Sequence, residues 1–394
     1  MTQSNAVLSL LDLNPRKYGS LEEYMVRVSD ALRQRNCRSI IAFPEEVAAN
    51  LRTKFEGSGA ELELMPSEGW PLYSGLLRLM RKYRPQIVHF HFYNQFSFLP
   101  VLAAASRPKS ILFTDHSRLP VDRPATRAKC AAWDRVVLGT LGVQTLAVSG
   151  HVKRILVQNY GMSPTHVGVL FNGVNVSRFA APTSDGRAAL FNEFGISLDK
   201  KVIVAAGYFI PEKGLSDLLK AAAKIRETRK DVVFILVGDG PLERQLKEEA
   251  HSLGIDDIVR FTGLRFDVDR FMSASDAVVV PSTWQEPAGL VVVEAMATSR
   301  PVIASRVGGI PEYLSEGEAG LLVEPGNPTQ IAEAILKILN DGPMAQRMGI
   351  AGRQRAEQLF SMEKWVADTM ALYEPALTKT LEAGGNSRPH NPDH

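Results

Sequence analysis

The chain has 394 residues, 45 Lys and Arg against 43 Asp and Glu, a net charge of +2, and 45% hydrophobic residues. That length exceeds one comfortable core and predicts two domains, and the balanced charge supplies no general drive toward nucleic acid. No apolar run approaches the roughly 20 residues of a membrane span, and residues 1–11 lack the basic start and long apolar core of a signal peptide. Cys37 and Cys130 have no metal-ligand spacing and suit a reducing compartment, so a cytoplasmic location is expected.

Short apolar runs alternate with helical patterns, which predicts parallel sheets built from βαβ units. In the first half, strands are expected at 6–10, 39–43, 61–64, 87–90, 110–113 and 145–148. After the first of these, Asp12-Leu13-Asn14-Pro15-Arg16-Lys17-Tyr18-Gly19-Ser20 leads into a helix. Gly19 and Ser20 at that start can present amides to a phosphate or sugar. Arg78, Arg81, Lys82 and Arg84 within 76–84 read as a solvated helix face, with at most peripheral contact to an anionic membrane. His89 and His91 end the fourth strand on one face, but no neighbouring Cys or carboxylate completes a metal site, so no metal is expected. Thr114-Asp115-His116-Ser117 follows the fifth strand.

Between Asn172 and Asp185, Asn-Gly and Ala-Ala-Pro-Thr-Ser-Asp-Gly read as turn and linker. Second-half strands are expected at 201–206, 232–237, 259–262, 277–280, 302–304 and 320–323. The first of them runs into Gly207-Tyr208-Phe209-Ile210-Pro211-Glu212-Lys213-Gly214, and the helix beyond sets Leu215, Leu218, Leu219, Ala222 and Ile225 on one face. The most informative stretch follows the strand at 277–280: Pro281-Ser282-Thr283-Trp284-Gln285-Glu286-Pro287-Ala288-Gly289-Leu290, then Glu294-Ala295-Met296-Ala297. Glu286 and Glu294 would lie about 12 Å apart on one continuous helix at ~1.5 Å per residue. A loop–helix break at Gly289 and Leu290 instead brings both near one N-terminus, whose free N–H groups suit phosphate. Carboxylates there suit paired sugar hydroxyls, since each accepts two hydrogen bonds.

This block resembles the Glu-x7-Glu signature of the family 4 retaining glycosyltransferases. Its surroundings match too: Leu236-Val237-Gly238-Asp239-Gly240-Pro241, Phe261-Thr262-Gly263, Ala304-Ser305-Arg306-Val307-Gly308-Gly309 and Gly320-Leu321-Leu322-Val323-Glu324-Pro325-Gly326. The resemblance covers roughly residues 5–360, densest between 200 and 330. It implies the GT-B architecture: an α/β fold of two Rossmann-like doubly wound parallel-sheet domains facing across a cleft. The domains are expected at 1–175, on the acceptor side, and 185–361, for the nucleotide sugar. A helix over 362–380 crosses back to the first domain, and a tail over 382–394 is expected to be disordered.

The resemblance further implies a hexosyltransferase that moves a sugar from a nucleotide-sugar donor to an acceptor hydroxyl, with retention and without a metal or other cofactor. UDP-sugar is the default donor, with GDP or ADP as alternatives. Glu286 is expected to hold the transferred sugar and Glu294 the ribose. Lys213 and the amides at Gly19 and Gly289 would stabilise the departing diphosphate, with Ala288 and Leu290 beside them. His116 matches the family's active-site histidine, facing the sugar, and Arg265 is placed near the base. His91 and Asn94 belong to the acceptor side. Candidate acceptor loops are 68–75, 92–98 and 118–127, whose aromatics include Trp70, Tyr73, Phe92, Tyr93, Phe96 and Phe98. They leave saccharide, lipid and small-metabolite acceptors open, and closure of the two domains would exclude water.

Three departures stand out. Tyr208 occupies the position of the family's usual diphosphate-binding arginine, Ala288 that of a common Phe or Leu, and Ser299 that of a frequent Gly. Arg16 and Lys17 are the candidates to replace the lost charge. Tyr208 also keeps a rival reading in view, a non-catalytic nucleotide-sugar-binding protein, and an epimerase or hydrolase of the same architecture is a lesser one. A glycosidase is disfavoured, because that chemistry wants its carboxylates ~5–10 Å apart across a bond without an adjacent phosphate cradle.

Overall fold

The computed structural model describes residues 5–15, 18–116, 124–179 and 184–378. They form two compact units. One comprises the described parts of 1–147, 153–170 and the chain from Val366; the other comprises Val148–Val152 and Phe171–Trp365.

The first unit is built on seven parallel strands: β1 Ala6–Leu11, β2 Arg38–Phe43, β3 Ala60–Leu64, β4 Ile87–His91, β5 Ser110–Asp115, β6 Val143–Ala147 and β7 Val167–Val169. Their order is β3-β2-β1-β4-β5-β6-β7. The second unit has six: β8 Lys201–Ala206, β9 Val232–Val237, β10 Val259–Phe261, β11 Ala277–Val280, β12 Val302–Ser305 and β13 Gly320–Val323, in the order β10-β9-β8-β11-β12-β13. In each sheet the order reverses direction beside the unit's first strand, β1 against β4 and β8 against β11. In open α/β sheets such switch points open a crevice beyond the strand carboxyl ends, where ligands bind.

Sheets covered on both faces need strands that are apolar on both sides. In the second unit the two faces separate at period two: Val202, Val204, Val233, Ile235 and Val237 enter one core, while Ile203, Ala205, Val232, Phe234 and Leu236 enter the other. The helix Leu215–Thr228 closes the second core with Leu215, Leu218, Leu219, Ala222 and Ile225, the face expected from its periodicity.

All twelve expected strands are present, most within a residue or two of their expected ends. The thirteenth, β7, is only Val-Gly-Val and too short to show periodicity. Two loop readings are corrected. Residues 69–75 lie in the helix Gly69–Tyr83, where Pro71 sits in the first turn and leaves no internal amide unpaired. Ser184, Asp185 and Gly186 open the helix Ser184–Glu193, where Asp185 in the first turn favours the positive end of the helix dipole. Arg16, Lys17, Ser117, most of the 118–127 loop and the tail 382–394 lie outside the described residues.

The helix Met362–Thr378 starts in the second unit and belongs to the first from Val366 onward. There Thr369 bonds the Tyr24 hydroxyl at 2.8 Å, and Tyr373 bonds His89 at 2.7 Å. Tyr24, Thr369, Tyr373 and His89 are all buried, so this helix is a structural part of the first core.

Candidate functional site

In the second unit, the loops beyond β8, β9 and β11 interlock. The loop after β8 ends in the short 3-10 turn Pro211–Lys213, and Gly214 follows with φ 64°. A Cβ at Gly214 would lie 2.0 Å from the Pro281 carbonyl oxygen, closer than any side chain permits. The Thr283 amide donates to the Glu212 carbonyl at 2.9 Å. The same loop is held from its other side, where the Phe209 amide donates to Asp239 O at 2.7 Å and the Leu242 amide to Phe209 O at 3.1 Å.

This backbone contact places Lys213 against Glu286. The Lys213 ammonium lies 2.5 Å from Glu286 Oε1, and the Ser282 hydroxyl donates to the same oxygen at 3.0 Å. Both side chains are partly shielded, at 29% and 19% exposure. Oε2 of Glu286 has no hydrogen bond among the described residues. The backbone of Glu286 is pinned in turn by Gly308 and Gly309. The Gly309 amide donates to Glu286 O at 2.7 Å, and the Gly308 amide to Gln285 Oε1 at 2.9 Å. At Gly308, φ is 57° and a Cβ would lie 2.1 Å from Glu286 O.

Gly289 caps the helix Leu290–Ala297 and is buried, with φ −100°. Glu294 is half-buried on that helix, while Ala288 and Leu290 pack on the core. The loop–helix break expected between the two glutamates is therefore present. Tyr208 stands out at 56% exposure. Arg265 is held bidentately by Asp267 at 2.8 Å, with Glu193 at 3.2 Å, and its guanidinium lies 5.1 Å from the Phe271 ring centre. Its hydrogen bonds hold the Asp267 carboxyl down to about 2, against the opposing effect of burial. Arg265 thus has a structural duty that the sequence did not reveal.

Residues Val148–Val152 belong to this unit although they follow β6 of the other. The Ser149 hydroxyl donates to Pro287 O at 2.7 Å, beside Glu286. The Gly150 amide donates to Glu312 Oε2 at 2.6 Å, and the Tyr313 hydroxyl to Val148 O at 2.9 Å. Ser149 is a contributor that sequence reading missed, because no local pattern announces a contact across 138 residues.

In the first unit, the carboxyl ends of β4 and β5 carry a histidine cluster. His89 is fully enclosed, with Nδ1 2.7 Å from the Tyr373 hydroxyl and Nε2 2.7 Å from Thr114 Oγ1. Burial pushes its pKa down to about 3, with a smaller contribution from His116. His91, ring centre 4.0 Å away, is buried with neither ring nitrogen hydrogen-bonded among the described residues, and burial holds it well below the usual histidine range. His116 stacks on Phe92 at 4.1 Å and 14°. Phe92 itself has φ 66°, a strained conformation for a bulky residue of the kind that clusters at functional sites. Asn94 is exposed, but its Oδ1 accepts the Phe96 amide at 2.8 Å and forms a local turn. Tyr93 and Phe96 pack on Phe90 and Tyr160, so two of the candidate acceptor aromatics are structural. Trp70 and Phe98 remain exposed, at 77% and 51%.

Gly19 caps the helix Ser20–Gln34, and its amide donates to Glu22 Oε2 at 2.9 Å. The chain supplies its own carboxylate to the amide that the sequence offers to an anion. Both ring nitrogens of His89 are taken by Tyr373 and Thr114, whereas those of its neighbour His91 are buried without a hydrogen bond among the described residues. Among the described residues no group of three or more His, Cys, Asp or Glu is placed to hold a metal ion.

Two parallel-sheet α/β units of this kind define the GT-B architecture, and comparison with known proteins agrees. A glycosyltransferase of Rickettsia africae superimposes with a TM-score of 0.82 at 20% identity, covering 96% of this chain and all of that one. Anabaena Alr3699/HepE, solved in complex with UDP, gives 0.78 at 21% identity, covering 94% of this chain and all of that one. The family model "Glycosyltransferase Family 4" matches residues 21–178, and "Glycosyl transferases group 1" matches 186–355. The chain belongs to the family 4 glycosyltransferases. Among curated relatives, N-acetyl-alpha-D-glucosaminyl L-malate synthase of Bacillus anthracis is 35% identical over 188 residues, 48% of this chain and 49% of that protein. The chain spans about half the length of the first curated relatives it matches.

Proposed function

We propose that this protein transfers a glycosyl group from a nucleoside diphosphate sugar to an acceptor hydroxyl, with retention of configuration and without a metal. The observation that carries the reading is the Lys213–Glu286–Ser282 group beside the Gly289-led helix, held by backbone contacts at the switch point of the second sheet. A lysine ammonium has three donors, so Lys213 can keep Glu286 and still bind a diphosphate oxygen. Both bonds to Glu286 fall on Oε1, which leaves Oε2 to accept hydroxyls of the transferred sugar. Glu294 takes the ribose. Because a nucleoside diphosphate is already a good leaving group, the demand on the protein is electrostatic, and no side chain is assigned as a nucleophile.

In the first unit, His116 is assigned to the sugar and Gly19 to the phosphates, following the family pattern. UDP-sugar is the donor assigned first, in keeping with the UDP bound by the Anabaena protein of the same fold. The acceptor is a hydroxyl of a saccharide, lipid or small metabolite, and the relative named for L-malate favours testing small hydroxy acids early. The two free, buried cysteines accord with a cytoplasmic setting. One observation supports a second reading, nucleotide-sugar binding without turnover: the exposed Tyr208 brings no charge to the position where the family places an arginine.

The test is thermal-shift binding against UDP, GDP, ADP and TDP and their common sugars, repeated on Lys213→Ala and Glu294→Ala. Stabilisation by one nucleotide series, reduced at least tenfold in apparent affinity in both variants, supports the donor site; a tenfold change corresponds to about 1.4 kcal/mol. Absence of any shift sinks it. Binding that persists with no hydrolysis or transfer on any acceptor supports the second reading instead.

A further inference from the structure

Where β4 ends, its side chains stop following the strand. Along a strand, successive side chains point to opposite faces, and β4 obeys this to its last residue. His89 and His91 share one face, with ring centres 4.0 Å apart, and there His89 bonds Thr114 of β5 at 2.7 Å. Phe90 points the other way and stacks on Phe113 of β5 at 4.4 Å and 10°. A regular continuation would place Phe92 on the Phe90 face. Instead Phe92 stacks on His116, at 4.1 Å and 14°. His116 follows Thr114 by two residues, on the histidine face, with its ring centre 5.8 Å from that of His91. Tyr93 then returns to Phe90, at 5.8 Å.

The backbone accounts for the exception. Phe92 has φ 66°, in the left-handed region, which breaks the alternation and turns its ring toward His116. That conformation carries a steric cost for a bulky residue, and glycine or asparagine adopts it more readily. Such strain persists only where the surrounding structure holds it, and it clusters at functional sites.

A simpler account is that Phe92 fills space. Tight packing at this end of the sheet is already supplied by Phe90, Phe113 and Tyr93, which are buried, whereas Phe92 is only half-buried. Filling space requires neither a left-handed backbone nor a ring nearly parallel to an imidazole. A parallel stack restrains the plane of the imidazole by contact across its face. The ring nitrogens lie at the edge, so this contact consumes neither of them. His89 is the contrast, because its ring is fixed through both nitrogens, by Tyr373 and Thr114.

We propose that Phe92 is a positioning residue for glycosyl transfer: its ring, turned over by the left-handed backbone, fixes the plane of the His116 imidazole and leaves the imidazole edge to the transferred sugar. The proposal rests on the reading of His116 as the histidine that meets that sugar.

The experiment compares the intact protein with Phe92→Leu, which keeps bulk and loses the flat face, and Phe92→Tyr, which keeps the face. Phe92→Gly is the second test variant if the leucine protein does not fold, since it favours the observed backbone and removes the ring. Two readouts are taken. One is the NMR signal of His116 Cε1–H in protein labelled at histidine, assigned by its loss in His116→Gln. The other is kcat and KM for UDP release from UDP-glucose. In Phe92→Leu the signal should move downfield, as the proton leaves the face of an aromatic ring. There kcat should fall about tenfold or more with KM within about twofold, because orientation of the reacting groups is what is lost. Phe92→Tyr should keep the signal in place and retain most of kcat, a rescue that a space-filling role does not predict. An unmoved signal in Phe92→Leu, a moved signal with wild-type kcat, or an equal loss in Phe92→Tyr overturns the proposal. If the wild-type protein releases no UDP, the fault lies with the donor assignment and the signal alone decides. Movement in Phe92→Leu but not in Phe92→Tyr then supports the positioning contact, and no movement overturns it.

Discussion

The carboxyl edges of the two sheets are built by different means. In the second unit, main chain meets main chain: Gly214 lies on Pro281, Gly308 on Glu286, and Phe209 is bonded between Asp239 and Leu242. These contacts leave no room for side chains and hold Lys213 and Glu286 at 2.5 Å. In the first unit, the edge is a set of rings: His89 bonded to Tyr373, His91 beside it, and His116 stacked on a strained Phe92. A backbone-built edge resists substitution at its glycines. A ring-built edge tolerates change in shape but depends on the protonation of its histidines.

The largest expected effect that sharpens this contrast is at Gly308. In Gly308→Ala, the new Cβ meets Glu286 O at 2.1 Å and sits at φ 57°. The left-handed conformation alone costs about 1–2 kcal/mol, and the displaced loop adds to it. A loss of roughly 3 kcal/mol, or about 6–12 °C in the melting temperature of the second unit, is expected. Weakened nucleotide binding should accompany it, because the carbonyl that the new Cβ strikes belongs to Glu286 itself. A variant with wild-type melting and binding would show that the loop has slack the glycines do not need.

The next effect belongs to the ring-built edge and is read against pH. His89 titrates at about 3 in the folded protein because it is buried, against an ordinary value near 6.5. A depressed folded pKa means that the unfolded chain takes up the proton first. The stability contributed by neutral His89 is therefore complete above about 6.5 and is lost as pH falls from 6.5 toward 3. The slope approaches roughly 1.4 kcal/mol per pH unit for each such histidine, and His91, displaced in the same direction, adds to it. The second unit has no fully buried histidine among its described residues. Hydrogen exchange followed down this range should therefore show β4 opening well before β9. The variant His89→Gln, which can still hydrogen-bond Tyr373 and Thr114, should flatten the slope. An equal slope in the variant would assign the acid sensitivity elsewhere.

How much of each edge could be read beforehand follows from the same difference. Gly207 to Gly214, Gly238 to Gly240, Glu286 to Glu294 and Gly308-Gly309 are short contiguous motifs, because a backbone clamp fixes residue type at close spacing. The loop–helix break at Gly289 was legible for that reason. The ring cluster is assembled across the fold. His89 and Tyr373 are 284 residues apart and Tyr24 and Thr369 are 345 apart, and no local spacing encodes such pairs. Ser149 reaching Pro287 and Arg265 diverted to Asp267 were hidden in the same way. The helical start at Gly69 was hidden differently, by a Gly-Trp-Pro sequence that looks like a turn.

The smallest effect concerns the start of the helix Ser20–Gln34 in the first unit. The Gly19 amide is taken by Glu22 Oε2 at 2.9 Å, so an anion arriving at this helix start must displace a carboxylate and approach its charge. Glutamine at this position keeps an oxygen acceptor for the Gly19 amide and removes the charge. The helix loses a favourable first-turn acid, worth about 0.3–1 kcal/mol, which should appear as a small drop in melting temperature. If Gly19 binds donor phosphate, Glu22→Gln should tighten nucleotide binding severalfold, by up to about 1 kcal/mol, with the gain greatest at low salt, where charge repulsion is least screened. If binding is unchanged while melting falls, Glu22 is a helix cap and nothing more, and the phosphate cradle then rests on the glycine-clamped loops of the second unit.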